Sequence, residues 1–235
     1  MPHDERDPVR HPRGVVTVGF LHTADAHVRT FRDLLTERDP DVAQQHIVDT
    51  GLLLRARAHG LDAVAPALAD RLRRLVAEGA DVVLCTCSTV GPEAKRIGAA
   101  MGLRVVRVDR PMAEAAVLAG RRIAVVSSLD EAAATVRPLL RECAEATGRS
   151  VELIDVDCTD TWAAFEDGDL LSYATGVADT VRRTVTAMVP PVDVVVLAQA
   201  SMAAAGPLLR DLHVPVLTSP RLAVEAAVEL VVPVA

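Results

Sequence analysis

Residues 80–89 read ADVVLCTCST, and residues 192–201 read VDVVVLAQAS. Each stretch is a small or apolar residue, an aspartate, a run of Val and Leu, and then small and polar residues. Short β-branched runs of this kind, alternating with stretches of helical spacing, imply parallel sheets covered on both faces. The likeness of the two stretches extends outward along the chain. TADAHVRTFRDLL, from Thr23, lines up without a gap on the segment starting at Ser128, so that Phe31-Arg32-Asp33-Leu34-Leu35 meets Val136-Arg137-Pro138-Leu139-Leu140. LADRLRRLV, from Leu68, matches VADTVRRTV, from Val177. VVRVDRP, from Val105, matches VPVLTSP, from Val214, and both copies run on into EAAV at Glu114 and Glu225. Five matches in one order at a nearly constant displacement indicate an internal duplication.

Strands are expected at Val15–Leu21, Gln45–Val48, Val82–Cys85, Arg104–Val108, Ile123–Val126, Val151–Val156, Val194–Ala198 and Val214–Leu217. A helix face is expected at Leu68, Leu72, Leu75 and Val76, which fall at i, i+4, i+7 and i+8. The fold class is therefore α/β, with two pseudo-symmetric halves, each a four-stranded parallel sheet flanked by helices, and the active site in the cleft between them. The boundaries read as a flexible leader over 1–13, a first half over 14–113, a second half over 114–220, and a C-terminal helix over 221–235 packing back on the first half.

Composition narrows the function. The chain has 235 residues, half of them hydrophobic, 24% charged and only 2% aromatic, with a net charge of −7. There is no basic stripe and almost nothing to stack on bases, so nucleic acid is excluded as a partner. No apolar run is long enough for a membrane span, and the polar N-terminus does not read as a signal peptide. Four cysteines in a chain of this length do not form a disulfide framework, and a reducing cytoplasm is the default. Cys85 and Cys87 form C-x-C with no second pair and no His pair, so no metal site is expected. The Gly-rich dinucleotide and phosphate motifs, the G-x-S-x-G elbow and H-E-x-x-H are all missing.

Ligands in open parallel sheets sit beyond the carboxyl ends of the strands. Residues just after matching strands should then meet across the cleft: Thr23 with Ser128, Asp49 and Thr50 with Asp157 and Cys158, Cys87-Ser88-Thr89 with Gln199-Ala200-Ser201, and Arg110 with Ser219. Cys87 follows an apolar strand and opens a helix, where free amides and the positive dipole end favour a thiolate and can hold a carboxylate. A thiolate beside hydroxyls and amides suits proton removal from a carbon next to a carboxylate, with the amides stabilising the charge that develops. Gln199 stands at the repeat position of Cys87; its amide can hold substrate but cannot transfer a proton. The candidate catalytic residues are Cys87 and Gln199. The candidate substrate-binding residues are Thr23, Ser88, Thr89, Ser127, Ser128 and Ser201. His22, next to the first loop, is a candidate proton donor. Cys85 should point into the core.

With the duplication and Cys87 placed, the chain resembles the aspartate/glutamate racemase superfamily, which includes hydantoin racemases, arylmalonate decarboxylases and maleate isomerases. GADVVLCTCSTVGP resembles the first cysteine segment of that group, VDVVVLAQASMA the second, where a cysteine commonly stands at the position of Gln199, and RRIAVVSSL the loop that supplies further hydroxyls. The resemblance spans about residues 14–230. It implies a cofactor-independent enzyme acting at the carbon next to a carboxylate or carbonyl of a small acid, isomerase or racemase-like, with Cys87 as the single catalytic cysteine. The runners-up are a malonate-type decarboxylase with Cys87 as proton donor, and a non-catalytic small-acid binding protein. The expected partner is a small carboxylic acid, and a homodimer is a common assembly for such folds.

Overall fold

The computed structural model describes residues 15–231, so the leader expected over 1–13 lies outside the described residues. The first half contains β1 (Thr17–His22), α1 (Ala26–Arg38), β2 (Ala43–Val48), α2 (Thr50–His59), α3 (Ala65–Ala77), β3 (Val82–Cys85), α4 (Gly91–Ala100), β4 (Val105–Arg107) and α5 (Arg110–Ala119). The second contains β5 (Arg122–Ser127), α6 (Asp130–Ala146), β6 (Glu152–Asp157), α7 (Trp162–Glu166), α8 (Leu170–Thr186), β7 (Val194–Leu197), a 3₁₀ segment (Ala200–Leu209), β8 (Val216–Thr218) and α9 (Ser219–Glu229).

The strands form two four-stranded sheets in the orders β2-β1-β3-β4 and β6-β5-β7-β8, and every neighbouring pair is parallel. β3 and β7 are central strands, buried at every residue. The duplicated aspartate that precedes each has the same task. Asp81 Oδ2 accepts from the backbone N–H of Thr17 at 2.8 Å, and Asp193 Oδ2 accepts from those of Arg121 and Arg122 at 2.7 and 2.8 Å. In return the Asp81 and Asp193 N–H groups donate to the Thr17 and Arg122 carbonyls at 2.9 and 2.8 Å. These paired bonds fix the register between the two central strands of each sheet, and they hold the Asp193 carboxyl below its usual range. Gly79, at φ +100°, ends α3 and turns the chain into β3; a side chain there would be strained.

Leu68, Leu72 and Leu75 of α3 are fully buried, but Val76 is 44% exposed. The buried face of α3 is thus a narrower stripe than the expected one.

The two halves exchange helices. Met112, Ala113, Ala116 and Val117 of α5 pack in one apolar cluster with Ile123, Val125, Val194 and Val196 of the second sheet. Ala223, Val224, Ala227 and Val228 of α9 pack with Val18, Phe20, Val82 and Leu84 of the first. The boundary expected at 113/114 falls inside α5, because that helix crosses the seam to close the second half's core. The C-terminal helix expected from 221 begins at Ser219 and packs on the first half's sheet.

Candidate active site

The ends of β3 and β7 open onto one cavity of about 270 Å³, walled by residues of both halves. Cys87 lies two residues past β3, is 8% exposed and lines this cavity. Two backbone bonds hold its loop: Thr86 N–H to the Leu21 carbonyl at 3.0 Å, and Gly91 N–H to the Cys87 carbonyl at 2.9 Å, which leads directly into α4. Ser88, Thr89 and Thr23 join Cys87 on the first half's wall, and Gln199, Ser201 and Ser219 stand on the second's.

Gln199 is anchored by its side-chain oxygen. Its Oε1 accepts from Ser128 N–H at 2.7 Å and from Ser128 Oγ at 3.2 Å. Ser128 Oγ is also 2.8 Å from the Tyr173 hydroxyl, which lies 3.1 Å from Ser201 Oγ. Ser128 is 1% exposed and is not among the cavity-lining residues. It orders the wall from behind: the backbone and hydroxyl of Ser128 fix the amide of Gln199, and Tyr173 ties Ser128 to Ser201.

Several expected residues lie elsewhere. Ser127 is separate from the cavity: it ends β5 on the opposite face from Ser128, beside Asp130, Arg137 and Asp155, because successive strand residues point to opposite sides. Asp49 and Asp157 do not meet across the cleft. Arg71 and Arg55 hold Asp49 at 3.0 and 3.7 Å, and Asp157 accepts from the Thr159 N–H at 2.8 Å. Cys158 is 2% exposed in the core with Tyr173 and Val177, and burial pushes its thiol up to about 11. Arg110 pairs with Glu114 and Glu142 on the surface; its neighbour Asp109 reaches the cavity instead. Cys85 is fully buried, and burial lifts it to about 12. Cys143 is also in the core. Cys87 is the one cysteine of the four on the cavity wall.

His22 is not a proton donor to the cavity. It is fully buried, with Nδ1 2.9 Å from Thr86 Oγ1 and Nε2 2.9 Å from His46 Nδ1. His46 Nε2 donates to Gln44 Oε1 at 3.0 Å. Burial first, then the neighbouring His46 and His27, lower His22 to about 3, and burial lowers His46 to about 4. Both rings are neutral at pH 7, and they stack in a column with Phe20 under α1.

Other lining residues were not foreseen from sequence. Trp162 and Phe165 of α7 stack at 4.7 Å on the wall. Arg57 of α2 and Glu131 of α6 line the cavity from opposite halves and form a two-pronged ion pair, with Arg57 Nε donating to Glu131 Oε2 at 3.0 Å. Asp109 is 1% exposed and held by both prongs of Arg107 at 3.0 and 2.7 Å. The rarity of aromatic residues was the available signal for the first pair. Nothing local marks the second, whose partners are brought together only by the fold. Among the described residues no group of three or more His, Cys, Asp or Glu is placed to hold a metal ion. Among them, too, no helix is long and apolar enough to cross a membrane.

A sequence family described as Asp/Glu/Hydantoin racemase matches residues 15–227. Among solved structures, a mutant of arylmalonate decarboxylase in its sulfate-associated form is 22% identical, with a TM-score of 0.65 over 93% of this chain and 94% of that one. Glutamate racemase from Francisella tularensis, in complex with D-glutamate, is 12% identical, with a TM-score of 0.67 over 92% and 81% of the two chains. Aspartate racemase from Picrophilus torridus is 14% identical, with a TM-score of 0.63 over 92% and 94%. Among curated proteins, none matches by sequence.

Proposed function

Because the chain belongs to the Asp/Glu/Hydantoin racemase family, we propose that it is a cofactor-independent, isomerase or racemase-like enzyme that uses one thiol to move a proton at the carbon beside a carboxylate or carbonyl of a small acid. One observation carries this reading: Cys87 is the sole cysteine on the wall of a cavity shared by both halves, and Gln199 stands on the facing half.

The substrate carboxylate sits among the hydroxyls of Ser88, Thr89, Thr23 and Ser201 and the free amides before α4. As thiolate, Cys87 takes the proton from the adjacent carbon, and the electron pair spreads into the carboxylate as an enediolate. The hydroxyls and amides hold the charge that builds on its oxygens. As thiol, Cys87 returns a proton to the carbon. Gln199 cannot accept or deliver a proton; its Oε1 is held by Ser128, and its amide N–H groups are the part left to contact substrate.

That asymmetry favours a second reading, malonate-type decarboxylation. There the carbon–carbon bond breaks, its electron pair stays as the enediolate when CO2 leaves, and Cys87 protonates it from one side. The test is incubation of the protein with amino acids, hydantoins, malonates and maleate in D2O, followed by NMR. Cys87-dependent deuterium uptake supports proton exchange, and CO2 loss with single-site deuteration supports decarboxylation. A panel in which no acid is changed, or in which Cys87→Ala is as active as the native chain, overturns the reading.

A further inference from the structure

The chain has one Trp, one Tyr and three Phe, and they are unevenly placed. Phe20 and Phe31 sit in the first half's core. Trp162, Phe165 and Tyr173 gather at the cavity. Trp162 and Phe165 stack at 4.7 Å and both line it, and the buried Tyr173 backs them at centroid distances of 6.2 and 5.1 Å. A protein that builds its cores from Ala and Val has kept its only tryptophan, half-buried, on this wall. Leu53, Leu129 and Val108 extend the apolar surface.

The charges on the wall are already matched. Arg57 is engaged by both oxygens of Glu131 from the opposite half, and Asp109 by both prongs of Arg107. His27, the remaining titratable base on the wall, is pushed down by burial and is neutral at pH 7. A second carboxylate reaching along the cavity would lose water against aromatic faces, with Glu131 beside the only cation there. Burial of an unpaired charge costs far more than burial of an apolar ring.

We propose that this site selects carboxylic acids that carry a flat apolar group, an aryl ring or its like, on the carbon beside the carboxylate, stacked against Trp162 and Phe165, and that the Arg57–Glu131 pair excludes acids with a second carboxylate farther along. The inference rests on the functional reading above for the position of the carboxylate, but its test does not require turnover.

Trp162 is the only tryptophan, so its fluorescence reports on the wall directly. Titration of Cys87→Ser, which removes the thiol chemistry, with phenylacetate, acetate and succinate gives the comparison. Saturable quenching by phenylacetate at least tenfold tighter than by succinate is expected. By calorimetry, Trp162→Ala weakens phenylacetate at least tenfold and leaves acetate unchanged. Glu131→Gln, a change at a half-exposed side chain that spares the fold, frees Arg57 and tightens succinate at least fivefold. Succinate binding as tightly as phenylacetate, no saturable phenylacetate binding, or an unchanged succinate affinity in Glu131→Gln overturns the inference. Ring selectivity without Cys87-dependent exchange in the native chain would overturn only the catalytic reading, and Cys87-dependent exchange on aspartate without ring selectivity only this one.

Discussion

The two halves share one topology but differ at the residues that follow their central strands. After β3 comes Cys87 and then α4, a regular helix of 10 residues. After β7 comes Gln199 and then a 10-residue 3₁₀ segment. A regular helix aligns its amides into a positive end, whereas a 3₁₀ turn has poorer hydrogen-bond geometry. The sulfur is thus on the side with the stronger anion-stabilising end. The second half has an amide at the matching place, tied to its own loop through Ser128, and it supplies the aromatic wall. One half thus carries the cavity's thiol, and the other its amide and its aromatic wall.

The sharpest way to break this comparison is to remove each member in turn. Cys87→Ala should lower turnover by about 10²–10⁴-fold, the range for a lost acid–base group, while Gln199→Ala should lower it far less; deuterium uptake by NMR measures both. An equal loss from the two would mean that the halves share the chemistry. Gln199→Cys makes the pair symmetric and should add racemisation of a single enantiomer, read by chiral chromatography; no gain would show that the 3₁₀ segment, and not the side chain alone, limits that face. Iodoacetamide should label Cys87 alone among the four thiols of the folded protein, since it alone lines the cavity and the other three are sealed in the cores. Peptide mass mapping reads the outcome.

Acid should separate the halves next. The folded pKa values of about 3 for His22 and about 4 for His46 lie below the unfolded value of 6.5. Folding therefore excludes protons, and the stability present above pH 6.5 is lost as pH falls toward the folded values. At pH 5 the loss is about 2 kcal/mol for the fully buried His22 relative to neutral pH, and smaller for the half-buried His46, which solvent screens. The matching place in the second half holds Ser127 and Asp155, with Asp155 paired to Arg137 on an open surface. Hydrogen exchange at pH 5 should thus rise in β1 and β2 before β5 and β6, and equal rises would count against the buried imidazole column as the cause. The smallest effect is expected from Tyr173→Phe, which loses two hydrogen bonds behind Gln199. It should raise KM several-fold, about 1 kcal/mol, with little change in Tm, measured by calorimetry.

Much of this plan is legible in the sequence, and what is not has a common cause. The strand pattern and the doubling are local, repeated signals, and they identify both sheets and the loops that carry Cys87 and Gln199. Ser127 and Ser128 are adjacent serines that sequence cannot rank, yet the chain at the end of β5 sends Ser128 behind the cavity wall, against Gln199, and Ser127 to the outer surface. Arg57 and Glu131 are ordinary helix-surface charges until two lobes bring them together. Trp162 and Phe165 stand in α7, a short helix with no counterpart in the repeat matches, so symmetry gave no guide to them. The boundary at 113/114 cuts α5 because the repeat marks where a motif recurs, not which core a helix joins.

That last point has a mechanical result. Since α5 seals the second sheet and α9 the first, neither lobe can be separated without uncovering an oily surface on both. Heat or denaturant should melt the molecule in one step, and a chain cut between α5 and β5 should yield two fragments that stay insoluble until mixed. The Arg57–Glu131 bridge spans the crevice that these interlocked walls frame.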